Sequence, residues 1–92
     1  MKEKIVEDYL VKRVRALGGE IRKVSWPGHR GAPDRLVMMK KGRTFWVELK
    51  TEKGTLSMRQ VREHTKLRLM GQKIYIVRSK SEVEDCLSGE EV

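Results

Sequence analysis

The chain has 92 residues, with 21 Lys and Arg against 13 Asp and Glu for a formal charge of +8. A chain this short makes one domain, which buries only roughly 60–65% of its unfolded surface around a modest core. With 38% hydrophobic and 37% charged residues it is too polar for a membrane protein, has no apolar run near the ~18 residues of a span, and is too strongly patterned for a disordered chain.

In chain order, Ile5, Val6, Tyr9, Leu10, Val14 and Leu17 have helical spacing. Gly18-Gly19 stops that helix, because glycine accepts the left-handed conformation. Residues 20–25 read as a short strand, and the Pro- and Gly-rich residues 27–33 as a loop. Residues 35–39 and 44–50 form a strand pair across Lys40, Lys41 and Gly42, a three-residue turn with Gly42 left-handed. In that register opposed positions sum to 82, so Asp34 faces Glu48, whereas a two-residue turn would separate these acids. Phe45, Val47 and Leu49 share one face of the strand, and Trp46, Glu48 and Lys50 share the other. Ser57 opens a helix running to about Met70, with Gln60 at capping-box spacing and Gly71 as the stop. Lys73 to Arg78 form a further strand, and Ser81 with Glu84 is placed to cap a last short helix through Leu87. The order is α-β-β-β-α-β-α: one domain over residues 1–92, with a core of about 1–80 and a short acidic segment, 81–92.

Charge is uneven along this order. Residues 81–92 hold Glu82, Glu84, Asp85, Glu90, Glu91 and no base, which leaves 21 bases against 8 acids, or +13, over residues 1–80. An excess of that size points to a polyanionic partner, most commonly nucleic acid. The start Met1-Lys2-Glu3-Lys4 lacks the apolar stretch of a signal peptide. The single Cys86 excludes an internal disulfide and a cysteine-based zinc site, so a reducing, cytoplasmic setting is expected.

Two carboxylates opposed across a strand pair repel each other, and a cation between them relieves the repulsion. Asp34 and Glu48 offer only oxygen, which suits Mg²⁺ or Mn²⁺, and magnesium completes its sphere with waters and substrate phosphates. Lys50 projects from the face of Glu48, placed to hold a water or to neutralise charge on a phosphate. Acid, acid, lysine and metal make a phosphodiester hydrolase. No Ser-His or Cys-His arrangement points to a covalent intermediate.

The run Gly31-Ala32-Pro33-Asp34, then Glu48-Leu49-Lys50 after one hairpin, then Gln60 early in the next helix, resembles the virus-type replication-repair nuclease (VRR-NUC) family. That family belongs to the PD-(D/E)XK nucleases. The resemblance covers residues 1 to about 80 and implies a restriction-endonuclease-like α/β core, αβββαβ, with a mixed sheet flanked by helices. It implies that Asp34, Glu48 and the backbone carbonyl of Leu49 bind the metal and that Lys50 is the catalytic lysine. Gln60 would place the lysine, the water or the substrate, and Glu7, matching the acid of the family's first helix, would orient a metal-bound water or a lysine. Stand-alone relatives, typical of bacterial viruses, act as dimeric Holliday-junction resolvases. The expected function is therefore a divalent-metal-dependent DNA endonuclease cleaving branched or four-way DNA as a homodimer in the cytoplasm of a bacterial host. No membrane partner or small-molecule cofactor is expected. A general nicking nuclease and a noncatalytic DNA-binding module of the same fold are the alternatives.

The remaining chemistry-bearing residues read two ways. Gln60 serves capping and catalysis with equal weight. His29 and Arg30 in the loop are candidate DNA contacts, as are Arg59, Arg62 and Lys66, which form one helical stripe. Lys40, Lys41 and Arg43 make the hairpin tip basic. His64 reads as structural, and Trp26 and Trp46 as packing residues more than base-stacking platforms.

Overall fold

A computed structural model describes residues 2–89. Its elements are α1 (Glu3–Ala16), β1 (Glu20–Lys23), β2 (Arg35–Met38), β3 (Thr44–Leu49), α2 (Met58–Leu69), β4 (Ile74–Val77) and α3 (Lys80–Leu87). The four strands form one mixed sheet in the order β1-β2-β3-β4. The first three pair antiparallel, and β4 joins β3 in parallel. A parallel pair needs a crossover, and α2 supplies it. This is the αβββαβ core expected, with α3 added at its end.

The hairpin has the register read from its turn: Arg35 faces Val47, Leu36 faces Trp46, Val37 faces Phe45 and Met38 faces Thr44. Lys40–Gly42 make a single 3-10 turn, and Lys41 shares the left-handed conformation with Gly42, at φ 66° and 77°. Arg43 does not extend the basic tip. It turns inward over the Phe45 ring, 4.5 Å from its centroid, and donates to the Cys86 carbonyl.

Strand alternation divides the sheet into two unlike faces. On one, Ile21, Val37, Phe45, Val47, Leu49 and Val77 pack with Val6, Leu10 and Val14 of α1 and with Val83, Cys86 and Leu87 of α3. The buried α1 residues recur every four positions, while Ile5 and Leu17 of the same sequence pattern stay exposed. Helix α3 starts earlier than expected. Ser79, not Ser81, is its N-cap and accepts the Glu82 amide, while the Glu82 carboxylate accepts the Arg78 amide at 2.6 Å. Glu84 takes Tyr9 and Arg13 of α1, so that acid holds two helices together. Glu90 and Glu91 of the acidic segment lie outside the described residues.

The other face is thinner and polar at one end. Trp46 and Ile74 fill its middle. Trp26 packs on Trp46 with ring centroids 5.2 Å apart, so the tryptophans pack as expected. Helix α2 covers this face with one fully buried side chain, His64.

Candidate active site

Where the thin face ends, β2 begins and β3 stops, and the two acids meet. Asp34 immediately precedes β2. Its carbonyl accepts the Val24 amide at 2.8 Å, and the Pro33 carbonyl before it accepts the Trp26 indole N–H at 2.8 Å. The stiff Pro33 and these two bonds set Asp34 at the mouth of the strand pair. Glu48 and Lys50 follow on β3 and just past it, with the Lys50 amide bonded to the Val77 carbonyl of β4. A cavity of about 250 Å³ opens here, lined by Glu3, Glu7, Asp34, Arg35, Glu48, Leu49 and Lys50. Four acids against two bases leave a formal excess of two negative charges in its wall.

Glu48 is the strained member. Its side chain is only 13% exposed. Burial and then the neighbouring Asp34 charge push its pKa up to about 7, although Lys50 pulls it back in part. Helix α2 addresses both of its oxygens. Gln60 Nε2 donates to Glu48 Oε2 at 3.2 Å, and His64 Nε2 lies 3.4 Å from Oε1. Gln60 also completes the capping box: its Oε1 accepts the Ser57 amide at 2.9 Å while Ser57 Oγ accepts the Gln60 amide at 3.1 Å. Because the amide oxygen is committed to an N–H, only the NH₂ group is left for the carboxylate. One side chain therefore both caps α2 and holds a Glu48 oxygen. Burial chiefly, and next Arg68, lowers the His64 pKa, which disfavours an ion pair with Glu48. Neither ring nitrogen of His64 has a well-formed hydrogen bond.

Helix α1 contributes differently from expectation. Glu7 borders the cavity, but Arg35 Nε and Nη2 both donate to its Oε2. Arg35 Nη1 also lies 3.1 Å from Asp34 Oδ1. Glu7 thus fixes the arginine that flanks Asp34. One turn earlier, Glu3 lines the same cavity with a buried Oε1 that has no partner. Spacing of i and i+4 already put Glu3 on the Glu7 face; what separates them is Arg35, which reaches α1 only through the sheet register. Glu7→Gln is expected to destabilise the protein by about 1.5–3 kcal/mol, the range for a hydrogen bond to a charged group, seen as a lower Tm. Glu3→Gln should leave Tm unchanged and cut any metal-stimulated cleavage by about 10- to 100-fold, the scale for groups supporting a metal. The reverse pattern would return the role to Glu7.

Among the described residues, no three or more His, Cys, Asp or Glu side chains converge as a ready-made metal cage. The donor set still fits a hard divalent ion. Asp34 and Glu48 offer oxygens, Glu3 offers an orphaned buried one, and Mg²⁺ keeps several waters of its own.

The expected DNA contacts lie in different surroundings. Lys66 lies 3.7 Å from the Glu63 carboxylate, while Arg59 and Arg62 are exposed. His29 is exposed and meets Trp26 edge-on at 6.4 Å. Arg30 and Arg59, by contrast, border one groove with Lys50 and Gln60.

No family model matches the sequence. A solved structure described as a VRR_NUC domain superposes with a TM-score of 0.86 at 36% identity, covering 97% of both chains. "Putative nuclease p44" of Acyrthosiphon pisum secondary endosymbiont phage 1 is 36% identical over 80 residues, 87% of this chain and 86% of that protein. The chain belongs to the VRR-NUC family. The mixed four-stranded sheet flanked by helices is the VRR-NUC fold.

Proposed function

We propose that this VRR-NUC domain is a divalent-metal-dependent DNA endonuclease that cleaves branched DNA as a homodimer. The observation that carries the catalytic part is the cavity itself: Asp34, Glu48 and Lys50 meet at one opening, beside the unpartnered oxygen of Glu3. Asp34 and Glu48, with the Leu49 carbonyl, would hold Mg²⁺ or Mn²⁺. The ion supplies Lewis acidity, polarising a phosphoryl oxygen and lowering the pKa of a bound water.

The chain's own groups do the rest. Gln60 keeps one Glu48 oxygen fixed, and the bond from Trp26 to Pro33 holds the loop that presents Asp34. The Lys50 ammonium, which has no acid partner among the described residues, offsets charge that develops on the nonbridging phosphate oxygens. Attack comes from water, so no side chain forms a covalent intermediate.

Junction selectivity and the dimer rest on likeness to stand-alone family members. A two-fold dimer is the commonest assembly and matches the approximate symmetry of a four-way junction. The test is cleavage of labelled junction, flap, duplex and single-stranded DNA with Mg²⁺, Mn²⁺ or EDTA, with mass measured in solution. Junction cleavage with Mg²⁺ or Mn²⁺, none with EDTA and a dimeric mass are the expected results. Equal rates on all four substrates would favour a general nicking nuclease, and binding without cleavage under any metal a noncatalytic module.

A further inference from the structure

The acid-lined cavity has a basic neighbour. A groove of about 580 Å³ is lined by Arg30, Gly31, Lys50, Ser57, Arg59 and Gln60. Lys50 borders both spaces. No acid lines the groove, and Arg30, Lys50 and Arg59 carry no acid partner among the described residues. Elsewhere the exposed cations Lys4, Arg22 and Lys66 do find carboxylates.

The groove's two arginines are held together by backbone, not by flexible side chains. Gly31 sits so close to α2 that a Cβ built on it would lie 2.6 Å from the Arg59 carbonyl carbon. Arg30 is the next residue along. Two arginines and a lysine thereby border one opening, and among the described residues no acid lines it to offset their charge. Guanidinium forks match phosphate geometry.

The geometry points to a seat for one backbone phosphodiester, formed by Arg30 and Arg59 and adjoining the scissile phosphate at Lys50. This rests on the nuclease reading of the neighbouring cavity and adds to it. The acid cavity engages the phosphate that is cut, and the basic groove fixes the next one, so the strand enters in a single register. Arg62 and Lys66, grouped with Arg59 by helical spacing, are not part of the seat.

The test couples protein to DNA. Binding of junction DNA is measured with Ca²⁺ in place of Mg²⁺ for wild type, Arg30→Ala, Arg59→Ala, the double variant and, as a surface control, Arg15→Ala. Each seat variant should weaken binding by about tenfold, the scale of one charge-assisted bond. The salt slope should fall by about one unit in the double variant and by less in either single, because one phosphate is shared. Arg15→Ala should leave both unchanged. A neutral methylphosphonate walked along the strand should weaken wild-type binding at one position next to the cut, and the double variant should be blind to that position. Methylphosphonate losses identical in wild type and double variant at every position would overturn the seat, as would an unchanged salt slope. If the coupling is present but wild type cuts nothing with Mg²⁺ or Mn²⁺, the seat stands as a DNA contact and the nuclease reading fails. If wild type cuts and the coupling is absent, the reverse holds.

Discussion

Glu48→Gln is expected to abolish cleavage and, at the same time, to stabilise the metal-free protein at neutral pH. The cleavage arm follows from the proposed ligand role. Supporting groups around a metal are worth about 10- to 100-fold, so a ligand itself should cost at least about a hundredfold. The stability arm follows from the position of the carboxylate. It is nearly buried, faces Asp34, and its pKa is raised from 4.5 to about 7.

The sign is set by proton uptake. Between about 4.5 and about 7 the folded protein holds a proton on Glu48 that the unfolded chain has released. Stability of the metal-free protein must therefore fall as pH rises through that window and level off above it, by as much as about 3 kcal/mol. Glutamine has no charge to strip of water, and its side-chain oxygen still accepts from Gln60. Urea denaturation in EDTA at pH 4.5, 6 and 8 should show the wild type losing stability across the series and the variant losing less. Parallel curves would remove Glu48 as the source. A divalent ion competes for the carboxylate that the proton neutralises, so Mn²⁺ binding to wild type should weaken by up to about tenfold per pH unit below about 7.

The parts of this site legible in the sequence were those fixed by local rules. The turn glycine set the hairpin register, and register alone brought Asp34 opposite Glu48. Capping spacing placed Gln60 on the first turn of α2, four residues before His64, so both reach the same carboxylate. Elsewhere local rules are degenerate. Ser79 with Glu82 and Ser81 with Glu84 have the same spacing, and the open Arg78 amide at the end of β4 favours the first pair. Glu3 and Glu7 share a helical face, and only Arg35, arriving from β2, decides which of them stays unpaired. Helical spacing groups Arg59 with its helix neighbours, because periodicity sees one element at a time. Its partner in space, Arg30, is brought up by Gly31 in a separate loop.

That contact makes Gly31→Ala the substitution with the largest expected effect on the fold. Gly31 has φ +90°, and an added Cβ would lie 2.6 Å from the Arg59 carbonyl carbon and oxygen and 2.7 Å from the Gln60 nitrogen. The left-handed conformation costs an L-residue roughly 1–2 kcal/mol, and forced overpacking typically adds about 1–3. The opposing atoms are helix backbone, held by the reciprocal Ser57 and Gln60 bonds, so they cannot yield as a side chain would. A loss of about 2–5 kcal/mol is expected, or about 4–8 °C of Tm for each kcal/mol in a domain of this size. Gly28→Ala supplies the control: its φ is +79°, but an added Cβ there meets nothing within 4 Å, so only the conformational cost applies. Equal Tm losses in the two variants would show that the approach of the loop to α2 contributes nothing. If the approach matters, Gly31→Ala must also push α2 outward and carry Gln60 and His64 away from Glu48. Cleavage at temperatures where the variant remains folded should then fall with it, while Gly28→Ala cuts at the wild-type rate.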